Sequence, residues 1–392
     1  MDIQPSQRLQ KLPPYLFADL RRKAAEARAR GVKVVRIDIG DPDRPTPDSV
    51  VAEMCRAIND PADPHRHRYG CDVPVEQFPQ AVRNFYQRRY GVALAENQVI
   101  ATNGSKDAIA QLPMAMLNPG DMAVAPAPGY PTYNIGHVFA GGTTVTVPLR
   151  QADGYLMDFD GIPADVRRSA KMLWLNYPNN PTTAVAELEF FARAVEFGRR
   201  HDILICHDNA YGLNTYDGYT APSILQVPGA AEVAVEFLSL SKAFSMTGWR
   251  AGAMVGNASA VAGLRLVREN TDNGSLRAIQ FAAAKALDSY EQIVPPINAV
   301  YRRRRDLVID ALNAHGWSLQ RPQGTIYVWA PVPAKYKGSS AAFATDLLEQ
   351  TGVIVTPGAG YGEAGEGYFR ISLTYPDEVL QEALGRIAAM RP

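Results

Sequence analysis

Lys242 closes an apolar run, Phe237-Leu238-Ser239-Leu240-Ser241-Lys242, and Arg250 follows eight positions later after Thr247-Gly248-Trp249. A lysine at a strand end can point into a cleft and form a Schiff base with an aldehyde cofactor, while nearby hydroxyls and a guanidinium hold that cofactor's phosphate. A surface lysine with a structural arginine is the plainer alternative. A second segment, Ile205-Cys206-His207-Asp208-Asn209-Ala210-Tyr211, delivers Asp208 from another apolar run. A carboxylate there can pair with a protonated pyridine nitrogen and keep the ring an electron sink, or it can cap a following helix.

Four further pieces sit at comparable junctions. Asn176–Thr183 is a proline-fixed turn in which the Asn180 amide can donate, or which is structural only. Thr102–Asp107 carries Gly104-Ser105-Lys106 at a strand-to-helix junction, where free amides suit a phosphate and Ser105 equally suits an N-cap. Pro126–Tyr133 presents Tyr130 on a rigid turn, where its ring can stack on a flat heterocycle or pack in the core. Arg370 lies in an apolar strand after the glycine-rich stretch 358–367, and its fork suits either a substrate carboxylate or a structural ion pair.

The elements that must position these residues alternate. Short apolar runs at 32–39, 98–101, 122–125, 143–148, 171–175, 203–206, 233–238 and 251–255 read as strands, and 17–30, 75–90, 105–117 and 188–201 as helices. This βαβ order predicts an α/β fold with a mainly parallel sheet, helices on both faces and ligands at the strands' C-terminal ends. The last third differs: a helix over 297–315, an alternating segment at 325–332, a helix over 341–351, strands at 353–356 and 368–373, and a helix over 376–390 predict a smaller α+β unit. Val294-Pro295-Pro296 interrupts the helical pattern where the two meet. The division expected is an N-terminal arm and part of the small domain at 1–45, a large domain at 46–290 and a small domain at 291–392.

Composition excludes several classes. The 392 residues are 46% hydrophobic and 20% charged, and 40 Lys+Arg balance 40 Asp+Glu. That balance argues against disorder and against a nucleic-acid partner. Cys55, Cys71 and Cys206 lack CxxC spacing, so neither a disulfide framework nor a metal site is expected. No apolar stretch is long enough to span a membrane, and residues 1–20 lack a signal peptide's apolar region, which together place the protein in the cytoplasm.

Taken together, Tyr69-Gly70, Gly104-Ser105-Lys106, Pro128-Gly129-Tyr130, Asn179-Asn180-Pro181-Thr182, Asp208-x-Ala210-Tyr211, Ser239-x-Ser241-Lys242 through Gly248-Trp249-Arg250, and Arg370-Ile371-Ser372-Leu373 resemble the fold-type I pyridoxal-phosphate aminotransferases of class I/II over nearly the whole chain. The resemblance implies that Lys242 holds pyridoxal 5′-phosphate as a Schiff base and shuttles the substrate proton, with Asp208 on the pyridine nitrogen. It implies Asn180 and Tyr211 on the 3-oxygen, Tyr130 over the ring, and Ser105, Lys106, Ser239 and Arg250 around the phosphate. Arg370, with Asn180 and the backbone of Gly40, would bind the substrate α-carboxylate. Tyr69 would reach the phosphate of a neighbouring subunit, implying a homodimer with shared sites.

Within the family, Leu12–Phe17, Ile39–Pro47, His67–Gly70, Tyr327–Pro333 and Thr356–Leu373 are most similar to the group acting on LL-diaminopimelate. That likeness adds Tyr15, Asp72 of the other subunit and Asn273 near the distal end of a long substrate. The activity implied is transfer of an amino group from LL-diaminopimelate, or another amino acid with a polar distal group, to a 2-oxo acid such as 2-oxoglutarate. A different donor, or elimination or oxidative deamination on the same scaffold, stays open. Thr183 stands where the family usually has glycine, Ala243 replaces a common threonine, Leu276-Arg277 replaces a usual Phe-Gln pair, and Gly212–Thr215 is atypical.

Overall fold

The computed structural model describes residues 3–12, 16–70 and 75–390. In chain order the strands are β1 (Val35–Arg36), β2 (Val99–Thr102), β3 (Met122–Ala127), β4 (Thr143–Pro148), β5 (Ala170–Leu175) and β6 (Leu204–Asp208). They continue with β7 (Ala234–Ser239), β8 (Gly252–Gly256), β9 (Tyr327–Pro331), β10 (Val353–Ile354), β11 (Thr356–Pro357) and β12 (Tyr368–Ser372).

Seven of these form one sheet in the order β2-β8-β7-β6-β5-β3-β4. Strands β4, β3, β5, β6 and β7 pair in parallel, and β8 alone runs against both of its neighbours. The sheet is therefore mixed, with a parallel majority. Its central strands are buried, β7 throughout and β5 at every residue but Lys171, as a sheet covered by helices on both faces requires. One face packs Val124, Leu173, Ile205 and Phe191 into the largest core, and the other packs Ile109, Met172, Trp174 and Phe237.

Glu236 sits in the middle of fully buried β7, where a carboxylate costs several kcal/mol unless paired and hydrogen-bonded. It is both. Its oxygens accept from the Tyr86 hydroxyl at 2.7 Å, Asn209 Nδ2 at 3.1 Å, the Ser223 hydroxyl at 2.9 Å, the Ile224 amide at 3.0 Å and His207 Nδ1 at 2.8 Å. The other ring nitrogen of His207 donates to the Tyr177 carbonyl at 3.0 Å. Both ring nitrogens thus face oxygen atoms. The pair ties together the loops that leave β5 and β6.

A second body gathers β12 between β9 and β11, all antiparallel, around Tyr301, Val308, Phe343, Leu347, Phe369 and Leu384. The N-terminal segment joins it, since β1 pairs in parallel with β10 and Val35 and Ile37 lie in the same core. The eight-residue strand expected at 32–39 shrinks to this two-residue pairing, because its β-branched residues record burial and only β10 is there to bond.

The helix expected at 297–315 runs over Tyr290–Ala314 with Pro295 and Pro296 inside it. Those prolines remove two backbone donors from its second turn without ending it. Ile293 and Val294 bury against the large core and Tyr301, Val308 and Leu312 against the small one, which holds the helix across the junction. Among the described residues, no helix is long and apolar enough to cross a membrane, and no group of His, Cys, Asp or Glu could hold a metal ion.

Candidate active site

Loops leaving the C-terminal ends of β5, β6 and β7 carry Asn176–Asn180, Asp208–Tyr211 and Ser239–Lys242 to one place. The N-terminal segment brings Gly40 to it, and β12 brings Arg370. The Lys242 ammonium donates to the Gly40 carbonyl, a contact between residues 202 positions apart. Burial lowers the Lys242 pKa; Tyr327 and Asp41 oppose it, and the Arg370 and Arg250 charges reinforce it. A lysine so placed yields its proton readily and becomes a nucleophile and base. Gly40 is required by close approach, because a Cβ there would overlap the Tyr327 hydroxyl.

Asp208 is 4% exposed. Its Oδ2 accepts from the Tyr133 hydroxyl at 2.9 Å and its Oδ1 from the Ala210 amide at 3.3 Å. Burial pushes its carboxyl up to about 6, with Tyr133 and His207 only partly opposing. Tyr133 is held by stacking on Trp174 at 4.9 Å, and Trp174 donates to His137 at 2.8 Å. Tyr130 meets Tyr133 edge-on at 5.8 Å. Asp208 caps no helix.

The corner expected to take a phosphate is built at the N-terminus of the helix Ser105–Met116. Its cap residue is Gly104, at φ +79°, rather than Ser105, and no side chain caps it. A Cβ on Gly104 would lie 2.9 Å from Arg250 Nη2, so glycine serves both the conformation and the approach of the guanidinium. Arg250 donates to the Asn103 carbonyl at 3.1 Å and the Thr247 carbonyl at 2.8 Å. Lys106 has its pKa lowered by burial and by the Arg250 charge, which places two cations beside uncapped amides. Buried Ser239 completes the corner, its hydroxyl accepting from the Ser241 amide at 3.3 Å.

Arg370 is 2% exposed. It donates to Asn180 Oδ1 at 2.7 Å and to the Asp38 carbonyl at 2.7 Å, and its Nε has no partner. The guanidinium lies 3.9 Å from the Tyr327 ring centroid and 5.2 Å from that of Tyr361. The Tyr327 hydroxyl stands 3.1 Å from that of Tyr211.

Three of these contributors escaped the sequence: Tyr133, Tyr327 and Tyr361. Tyr327 follows from strand register, since Arg370 pairs with Trp329 and Ser372 with Tyr327, which puts Tyr327 diagonal to Arg370 on the same face. Tyr15 and Asp72 lie outside the described residues. Tyr69 is 67% exposed, so its own chain does not enclose it. Asn273 is exposed at φ +54° and donates its amide to the Arg268 carbonyl at 3.2 Å. Arg277 is buried against Asp63 at 3.0 Å.

Pyridoxal 5′-phosphate fits these residues. Two cations and uncapped amides suit its phosphate, a buried carboxyl short of a cation suits its ring nitrogen, and a half-desolvated lysine suits its aldehyde. The unpartnered Arg370 Nε leaves capacity for a carboxylate.

Residues 32–387 match the family model described as aminotransferase class I and II. The LL-diaminopimelate aminotransferase of Moorella thermoacetica is 47% identical over 386 residues, 98% of each chain. That of Gloeobacter violaceus is 48% identical over 384 residues, 97% of each. Among solved structures, substrate-bound BacF from Bacillus subtilis superposes with a TM-score of 0.93 at 34% identity, covering 99% of this chain and 98% of that one.

Proposed function

Since the chain belongs to the class I and II aminotransferases and is a pyridoxal-phosphate-dependent transaminase, we propose that its amino donor is LL-diaminopimelate or another amino acid with a polar distal group. The acceptor in this reading is a 2-oxo acid such as 2-oxoglutarate. The observation that carries it is near-half identity over full length to relatives named for that donor, joined to an arginine whose buried fork has capacity for an α-carboxylate.

In this reading Arg370 clamps the carboxylate while Asn180 and the Asp38 carbonyl fix the plane of its fork. That fixes which bond at Cα faces Lys242. Bound pyridoxal 5′-phosphate supplies an aldehyde that takes up the amino group and a ring that draws electrons from the bond being broken. Lys242 Nζ, its pKa lowered by burial, accepts the proton from Cα and gives it up again, returning to its starting state. Asp208 holds the ring nitrogen protonated, and Tyr211 donates to the 3-oxygen. Ser105, Lys106, Ser239 and Arg250 hold the phosphate, and Tyr130 covers the ring. Gly40 shapes the carboxylate end, and Tyr15, Asp72 and Asn273 are assigned to the distal end.

We place the enzyme in a homodimer in which Tyr69 completes the partner's site. Support comes from its exposure together with that of Val51, on the helix Asp48–Asn59, and Leu276, which caps the helix Arg277–Asp288 packed against it. A cytoplasmic, biosynthetic role agrees with Cys55 and Cys206 being free thiols.

The test is the visible absorbance of cofactor-loaded protein, with Lys242→Ala as control. LL-diaminopimelate without acceptor bleaches the cofactor band and 2-oxoglutarate restores it, more efficiently than glutamate, alanine or aspartate as donors. A better response to another donor, or ammonia release without acceptor, overturns the proposal.

A further inference from the structure

Tyr327 belongs to none of the roles assigned above, yet its side chain stands among them. It lies on β9, beside β12, and its ring and its hydroxyl do different things. The ring lies under the Arg370 guanidinium at 3.9 Å, with Tyr361 on a third side at 5.2 Å. A desolvated cation against an aromatic face is attracted to it and confined to a plane. The hydroxyl stands 3.1 Å from that of Tyr211, with the two rings edge to face at 5.7 Å. It also abuts Gly40, whose carbonyl receives the Lys242 ammonium.

We propose that Tyr327 is a positioning residue that couples the carboxylate-binding arginine to Tyr211: its ring sets the plane of Arg370, and its hydroxyl sets the direction in which the Tyr211 hydroxyl points. This rests on the assignment of Arg370 to the carboxylate and of Tyr211 to the cofactor's 3-oxygen.

The direction of the hydroxyl pair follows from the assignment of Tyr211 to the 3-oxygen, and the charges around the pair act on it. Arg370 on β12 and Lys242 after β7 face Tyr327, as do Tyr211 after β6 and Tyr301 on the helix Tyr290–Ala314. Burial raises the Tyr327 pKa, but the Arg370 and Lys242 charges, together with hydrogen bonding to Tyr211 and Arg370, outweigh it and leave the hydroxyl more acidic than an ordinary tyrosine. Burial drives Tyr211 well up instead. Either hydroxyl can donate across this pair; with the single Tyr211 proton given to the cofactor's 3-oxygen, the Tyr211 oxygen is left to accept, and Tyr327 is the donor. A carboxylate on Arg370 partly neutralises the charge that makes Tyr327 acidic. Occupancy at one end of the site thereby reaches the hydroxyl at the other, with no backbone movement.

Two variants separate ring from hydroxyl. Tyr327→Phe keeps the ring over Arg370, so calorimetric affinity of the cofactor-loaded protein for 2-oxoglutarate stays within about twofold of wild type. The pH midpoint of its visible absorbance rises by about half a unit, because a hydrogen bond that favours the deprotonated chromophore is weakened. That midpoint also loses its response to saturating 2-oxoglutarate, which wild type shows. Tyr327→Leu removes the ring as well and weakens 2-oxoglutarate about tenfold. An unmoved midpoint in Tyr327→Phe, or affinity lost equally in both variants, overturns the coupling. Failure of the underlying assignment reads differently: wild type itself then shows no 2-oxoglutarate binding, or Arg370→Lys binds it as wild type does.

Discussion

Replacing Asp208 with asparagine makes the cofactor-free protein more stable at alkaline pH and the cofactor-loaded protein less so. The Asp208 carboxyl is pushed from an ordinary 3.8 up to about 6, chiefly by burial. Between those values the folded chain binds a proton that the unfolded chain has released, so stability falls as pH rises through the window. A gap of roughly two pH units at about 1.4 kcal/mol each makes the full penalty about 3 kcal/mol above pH 6, shrinking to about 0.5 kcal/mol at pH 4. Asparagine carries no such penalty. It keeps an acceptor for the Tyr133 hydroxyl but sets an NH₂ against the Ala210 amide, a loss of about 1 kcal/mol.

The net expectation is that Asp208→Asn without cofactor is more stable than wild type by about 1–2 kcal/mol at pH 8 and no more stable at pH 4. Urea midpoints of protein stripped of pyridoxal phosphate, taken at half-unit pH steps, measure it. Saturating cofactor reverses the order, because a protonated ring nitrogen keeps Asp208 ionised and paired, and only wild type gains that binding energy. A difference between the stripped proteins that does not grow from pH 4 to pH 8 refutes the reasoning. It would mean that water or Tyr133 solvates the carboxylate as well as bulk solvent does.

Thr183 occupies φ +65°, a left-handed conformation that a β-branched residue adopts at a cost of about 1–2 kcal/mol. Thr183→Gly returns this less the entropy glycine loses on folding, for a net stabilisation of about 0.5–1 kcal/mol visible as a higher urea midpoint; destabilisation would show that the threonine methyl packs usefully. Glu236→Ala strands His207 and four other buried donors, and costs about 3–5 kcal/mol by the same measurement. A cost below about 1 kcal/mol would mean that water entering the vacated space satisfies the donors as well as the carboxylate does.

Legibility followed the range of the interaction. Lys242 and Asp208 announce themselves because each follows an apolar run and strand ends are set by local pattern, and Arg250 because it closes the Thr-Gly-Trp turn that follows the lysine. The strands themselves are displaced by a residue or two at most in the large sheet, as Thr143–Pro148 and Ala170–Leu175 show. The sheet's antiparallel member was not legible: Gly252–Gly256 reads as any other apolar run, since strand direction is decided by the short turn through Arg250. Tyr327 and Tyr133 stayed hidden for another reason. Each is an ordinary aromatic in its own segment, and only register or a contact 75 residues away gives it a polar partner. The Gly40 carbonyl is the extreme case, a backbone atom whose role depends on a lysine far along the chain.

The helix Tyr290–Ala314 can be viewed as a beam clamped at both ends. Ile293 and Val294 fix one end in the larger core, and Tyr301, Val308 and Leu312 fix the other in the smaller. Any rotation of one body against the other must load this beam. Pro295 and Pro296 lie between the clamps and remove two of the ladder bonds that give a helix its stiffness. Any such rotation, which would carry Lys242 on one body relative to Arg370 on the other, would therefore bend the helix at that point.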